Sequence, residues 1–418
     1  MNTKKVTDSS PKAKKESGGI GTNAQTVILA LLAIFTGLVI GGIVIAVSDL
    51  KVIEAWKSFF TSPGAALDAT WKSVAIAYGA LFSGSLGNPA QISEGLRTYF
   101  ATGDNALLIK SIYPITESLV TATPYILTGL AVAVGFRCGL FNIGAEGQFF
   151  IGALCSAYVG YSIKGLPWFI HLPLALLGGA AGGALWGAVP GFLKAKFGAH
   201  EVVNTIMMNW IGFRLSDWLL NGPMKASGFR PVTPNIQQAA ELPRFFPDPL
   251  RLNWGFVLGI AMAFVIYWLL FKTTIGFEIR TVGANPDAAR YAGINIVRNF
   301  VLAMVISGGM AGLAGASQVL GVDHWVGQGF SAGYGFDAIA IALLGKSHPL
   351  GVVLAALLFG ILRGGATRMQ SIAGIPIDII SIIQGLVIIF VAAPGIIRWI
   401  YRLRFNAEQT VLTRGWGK

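Results

Sequence analysis

Apolar residues run along this chain in long stretches separated by polar breaks. The stretches at 24–47, 113–136, 144–161, 172–193, 202–220, 254–271, 300–320 and 377–391 each lie near the roughly 20 residues that an α-helix needs to cross a bilayer. Two shorter stretches, 335–345 and 350–362, flank Lys346-Ser347-His348-Pro349. That tetrapeptide neither continues a helix nor sits comfortably in lipid, because proline lacks a backbone donor and polar backbone must be satisfied there. A short or re-entrant helix followed by a full one is expected. The pattern predicts an all-α integral membrane protein with about ten transmembrane helices, some of them short or broken.

Three longer polar segments separate the spans. Residues 49–111 and 221–253 fall on one side of the predicted membrane, and 272–298 on the other. Within the first, 71–82 is amphipathic enough to lie on the membrane surface, or it belongs to an ordered external loop. The second carries several prolines and is expected to form a cap. Residues 24–397 are therefore read as one transmembrane domain between basic tails at 1–23 and 398–418.

Composition agrees, and charge adds orientation. Hydrophobic types make up 54% of the 418 residues and charged types 12%, against about 25% charged in soluble domains. The mean hydropathy is +0.64, which excludes a disordered chain. The net charge is nevertheless +12. Lys and Arg are retained on the cytoplasmic side of a membrane, and an even number of crossings puts two basic tails on one side. With both tails inside, the inward regions include Arg137, Lys194, Lys196, Lys346 and the 272–298 loop, and they hold the whole excess. Both termini are expected in the cytoplasm. The first apolar run is too long for a signal-peptide core and reads as a retained anchor.

No catalytic constellation is read from the sequence. HExxH and paired Cys/His at zinc spacing do not occur. Cys138 and Cys155 lie in apolar stretches and are expected as small core residues. His171, His200, His324 and His348 are scattered. Gly345-Lys346-Ser347 resembles the end of a P-loop, but the glycine required five residues earlier is Ala340. No catalytic residue, metal site or cofactor is expected. Any pumping must draw on an ion gradient or on another subunit.

Polar residues at the edges of spans are more informative. Asn142, Glu146 and Gln148 follow Arg137 where the chain turns back, among Gly139, Gly144 and Gly147. A charge at such depth costs a few kcal/mol and faces protein or a water-filled path. Two roles are open to these groups: lining a translocation path, or forming a hydrogen-bond network that holds a broken helix. Asn204 and Asn209 lie about 140° apart on an ideal helix, so one can face a path while the other ties helices. Asp337 either favours the start of its short helix or meets a solute hydroxyl. Small residues at 178–183 and 307–315 predict close helix packing.

The 272–298 loop, KTTIGFEIRTVGANPDAARYAGINIVR, has helix signals of its own. Asn285-Pro286-Asp287 starts a helix, Ala288, Ala289 and Ala292 favour it, and Gly293 ends it. The pattern Gly276…Arg280…Gly283-Ala284-Asn285…Ala288-Ala289…Gly293-Ile294 resembles the coupling loop of ABC-importer permeases of the branched-chain amino-acid, ribose and nucleoside branch. Three more stretches carry the same resemblance in order. They are Gly139-Leu140-Phe141-Asn142-Ile143-Gly144-Ala145-Glu146-Gly147-Gln148, the stretch from Gly198-Ala199-His200-Glu201 to Asn209, and Gly335-Phe336-Asp337-Ala338 through His348-Pro349-Leu350-Gly351. His200 departs from the asparagine typical of the family.

The resemblance implies a permease subunit of an ATP-driven importer in a bacterial plasma membrane, with no enzymatic activity of its own. It implies a path for nucleosides, with ribose or another simple sugar as the alternative. The partners it implies are a second similar permease, two ATP-binding subunits and an external substrate-binding lipoprotein. Pro286, Ala288, Ala289 and Gly293 would dock in the ATPase. Asn142, Glu146, Gln148, Asn204, Asn209 and Asp337 are the translocation-path candidates. A stand-alone secondary transporter is the rival from another class, and it would have no need of a docking helix.

Overall fold

The computed structural model describes residues 22–403 apart from 377. Most of the tail expected at 1–23, and the tail beyond 403, lie outside the described residues. The chain folds into helices α1 (Thr22–Ser48), α2 (Leu50–Lys57), α3 (Pro63–Leu86), α4 (Pro89–Thr102), α5 (Ala106–Arg137), α6 (Ala145–Ser162), α7 (Trp168–Phe197) and α8 (Glu201–Asn221). After an irregular segment come α9 (Trp254–Lys272), α10 (Thr274–Ala284), α11 (Pro286–Tyr291), α12 (Ile296–Gln318), α13 (Tyr334–Leu344), α14 (Pro349–Ala373), α15 (Asp378–Ala392) and α16 (Pro394–Ile400).

Every apolar stretch singled out in the sequence is a helix. Six of them, α1, α5, α7, α9, α12 and α14, are individually long and apolar enough to span a membrane, and α15 with α16, bent by 86°, makes up to a seventh. α6 and α8 are less apolar because they carry Glu146 and Gln148, and Glu201, Asn204, Asn209, Arg214 and Asp217. α13 is apolar but has only 11 residues. The architecture is all-α and multi-pass.

α5 forms the centre. Its small and apolar residues from Val120 to Gly135 are almost all buried, and the main core joins it to α9, α12, α13 and α14. Pro124 sits inside this helix. The adjacent Thr128 hydroxyl donates to the Pro124 carbonyl at 2.7 Å, a local bond available to hydroxyl side chains within a helix. α7 and α12 meet along the two small-residue stretches. A Cβ on Gly312 would stand 2.3 Å from the Gly179 carbonyl oxygen, and one on Gly308 would stand 2.3 Å from that of Gly183. The backbones are in direct contact there, as small residues permit.

Segment 49–111 is helical rather than a loop. Its 71–82 stretch lies within α3, where Ala77, Ala80 and Leu81 pack on Leu362, Ala366 and Met369 of α14. This face repeats at helical spacing, while Trp71, Ile76 and Phe82 on the other faces stay exposed. Segment 221–253 packs by backbone hydrogen bonds on the chain just after α12. Thr233 donates its N–H to Val326 O at 2.9 Å, Ile236 to His324 O at 3.0 Å, and Leu242 to Leu320 O at 2.8 Å. Asn253 fastens the segment at its far end: its Nδ2 donates to Gly321 O at 2.9 Å, and its Oδ1 caps α9 by accepting from Gly255 N at 2.8 Å.

Candidate functional site

The break between α5 and α6 is held by side chains. Asn142 Oδ1 accepts from Gly144 N at 3.0 Å, and its Nδ2 donates to Gln148 Oε1 at 2.9 Å and to Ser307 Oγ at 2.8 Å. Ser307 in turn donates to Ala131 O at 2.6 Å, which ties α12 to α5. Asn209 of α8 closes the other side: its Oδ1 accepts from Gly147 N at 2.8 Å, and its Nδ2 donates to Ile143 O at 2.9 Å. Asn142, Gln148 and Asn209 are all buried. Asn142 and Asn209 satisfy backbone groups that a broken helix leaves orphaned, and Gln148 holds the Asn142 amide.

Glu146 performs a related task across a longer range. It lies in the first turn of α6, buried. Its Oε2 accepts from Gly335 N at 2.6 Å, and its Oε1 accepts from the Ser331 hydroxyl. Gly335 belongs to the first turn of α13. One carboxylate therefore sits at the positive ends of two short helices, where a negative charge is stabilised. Glu146→Gln is expected to destabilise the folded protein by about 1–3 kcal/mol, the cost of leaving a buried donor poorly satisfied. A lowered thermal unfolding midpoint in detergent checks this, and an unchanged midpoint would show that α13 is held by other contacts.

Asp337, two residues beyond Gly335, belongs to a second cluster that includes residues the sequence did not single out. Its Oδ2 accepts from Tyr125 Oη at 2.7 Å and from Arg363 Nη1 at 3.2 Å. Arg363 Nη1 also donates to Tyr125 Oη at 2.7 Å, and Nη2 donates to Ala332 O at 2.7 Å. The guanidinium lies over the Tyr334 ring, 5.5 Å from its centroid. Tyr334 packs edge-on to Tyr125 at 4.8 Å and beside Phe149 at 5.7 Å. The tyrosines are buried, whereas the side chains of Arg363 and Asp337 keep 32% and 31% exposure. The cluster thus joins α5, α13 and α14 and opens on one side. Arg363 was the legible clue: a charge directly after the 350–362 stretch, inside a helix that continues to Ala373. Asn204 is partly buried and stands apart, and its Nδ2 has no hydrogen-bond partner among the described residues.

The loop with helix signals folds as α10 and α11. Asn285 caps α11, its Oδ1 accepting from Asp287 N at 3.0 Å and Ala288 N at 3.1 Å. Gly293 follows with φ 79°, a left-handed turn that glycine adopts without strain. Pro286, Ala288 and Gly293 are exposed. Ala289 is different: it is 0% exposed and packs into the main core. Ala289 forms the side on which the helix rests on its own protein, and Tyr291, at 95% exposure, lies on the outward side. Behind α11, α10 is pressed onto the end of α5, where a Cβ on Gly283 would stand 2.2 Å from Arg137 O. Arg137 Nε donates to Ser347 O at 2.9 Å. Arg137 and Arg280 both lie over the Phe271 ring, at 5.4 and 5.1 Å. The α10–α11 pair is thereby joined to α5, α9 and the turn before α14.

A multi-pass helical bundle with broken helices inside and a small helix pair packed on the end of α5 is compatible with a transport subunit. The family described as branched-chain amino acid transport system / permease component matches residues 115–392, and the chain belongs to this family. It is 42% identical over 308 residues to the guanosine ABC transporter permease protein NupP of Bacillus subtilis, covering 72% of this chain and 88% of that protein. It is 37% identical over 293 residues to the nucleoside ABC transporter permease protein NupB of Lactococcus lactis, covering 68% and 80%. It is 35% identical over 292 residues to the glucose ABC transporter permease protein TsgB13 of Haloferax volcanii, covering 68% and 77%. No solved structure matches the chain. The protein is a permease subunit of an ABC transporter, a transport component rather than an enzyme. Such a permease works with ATP-binding and substrate-binding partners.

Proposed function

We propose that this permease forms the membrane path of an importer for nucleosides. The observation that carries the reading is the partly exposed Tyr125–Tyr334–Asp337–Arg363 cluster in a chain 42% identical to a guanosine transporter permease. The fixed charges inside the bundle are compensated: Glu146 serves two helix starts, and Asp337 pairs with Arg363. Such a lining favours a neutral solute with hydroxyls and an aromatic face over an ion. Glucose, the cargo named for one relative, shares the adjacent hydroxyls but lacks the aromatic base, so a simple sugar is the second reading.

In this reading Asn142, Gln148, Asn209 and Glu146 hold the broken helices, while Asp337 and Asn204 face the path. Both termini lie in the cytoplasm. A second permease completes the path, and two ATP-binding subunits sit beneath, one of them against Pro286, Ala288, Tyr291 and Gly293. An external lipoprotein delivers the solute to the opposite face. ATP-dependent uptake of a labelled nucleoside by the reconstituted complex is the expected result. Uptake by this chain alone, driven by a proton or sodium gradient, would overturn the importer reading.

A further inference from the structure

We propose that Asp337 and Arg363 form a subsite that grips two adjacent hydroxyls of the solute, so that the permease itself selects ribosides over deoxygenated analogues. The proposal rests on the nucleoside reading and adds where the sugar is held. Both hydrogen bonds to Asp337 land on Oδ2, and Oδ1 takes neither. Arg363 has five N–H donors, and three are engaged, by Tyr125, Asp337 and Ala332. The pair therefore offers a charged acceptor beside spare donors, on side chains that are about a third exposed.

Each hydroxyl of a vicinal diol donates one hydrogen bond and accepts others. A diol can bridge this pair by donating to Oδ1 and accepting from the guanidinium, without separating the charges. A phosphate would be repelled by Asp337. An amino-acid zwitterion would have to split an ion pair whose two members also share Tyr125, leaving each charge to a mobile partner. The Tyr125 and Tyr334 rings fix the pair from behind, Arg363 lying over both, at 6.0 and 5.5 Å from their centroids. A group positioned to bond a hydroxyl discriminates strongly against the analogue that lacks it, because its own polar atoms are then left unpaired.

The test compares ATP-dependent uptake of guanosine and 2′,3′-dideoxyguanosine by the reconstituted complex, with the partner proteins held constant and only the permease varied. The wild-type complex is expected to favour guanosine by more than its D337N and R363Q variants do, by a factor of about ten. The guanosine rate should fall in the variants while the dideoxy rate moves much less. Y125F keeps the ring packing but removes the hydroxyl that orients both charges, and it should weaken the preference in the same direction. Elution of each variant as a monodisperse complex in size-exclusion chromatography confirms folding, and Y125F carries the test if the charge variants do not assemble. An unchanged preference in the assembled variants, or an equal loss for both solutes, would overturn the subsite. Faster uptake of leucine than of guanosine by the wild type would replace the diol with a zwitterion. Absence of any nucleoside uptake by the wild-type complex would instead overturn the nucleoside reading itself.

Discussion

Ala288→Arg is expected to lower ATP-dependent uptake by at least about tenfold, the effect of losing ~1.4 kcal/mol or more at a docking interface, while the chain still reaches the membrane folded. Ala288 is exposed on α11, so arginine meets nothing in its own chain. Arginine is a good helix former, and the Asn285 cap that starts α11 is a side-chain acceptor it leaves intact. The penalty therefore falls on whatever packs against this helix. In the proposed importer, the contacts of α10 and Arg137 join α11 to α5 and to the turn before α14. Uptake of solute, measured beside the amount of assembled permease, checks the prediction. Ala288→Ser is the control and should leave uptake close to normal. Normal uptake in the arginine variant would remove α11 from the coupling route. Ala289→Arg would not test this, because Ala289 is buried and the variant would damage the permease itself.

Gly312→Leu is expected to abolish accumulation of folded protein. A Cβ at this position would already stand 2.3 Å from Gly179 O and 2.9 Å from Gly183 Cα. Both are backbone atoms, which no rotamer change can move aside. Overpacking of a core usually costs about 1–3 kcal/mol, more where nothing can shift, and here α7 and α12 would have to part along their length. Gly309→Ala on the same helix is the control. Its Cβ would find its nearest neighbours at 3.6 Å, an ordinary contact, so the midpoint of thermal unfolding should stay near that of the wild type. Equal behaviour of the two variants would show that the seam between these helices tolerates separation.

The helices were legible because apolar runs of spanning length leave the backbone few alternatives to a helix. The small-residue seam was equally visible, since glycines at 179, 183, 308 and 312 suit only close packing. The α3 stretch was harder to place. Its face of Ala77, Ala80 and Leu81 is small and weakly apolar, and only the facing Leu362, Ala366 and Met369 show that it belongs to the bundle. In the site, Asn142, Glu146 and Gln148 announced a broken helix, but a sequence cannot say which partner each would find. Glu146 meets Gly335, 189 residues away. Tyr125 stayed hidden because a tyrosine in an apolar run reads as core, which it also is. On so short a helix as α11, composition does not separate the buried side, where Ala289 lies, from the exposed one.

The carboxylate of Glu146 has a mechanical meaning beyond its electrostatic one. It starts α6 and α13 together, so neither short helix can withdraw from the other without stranding a charge or an open helix end. The two behave as one pinned joint, and through Asp337 and Arg363 that joint is also clamped to α5 and α14. A change of shape in this permease is therefore expected to move this assembly as a block.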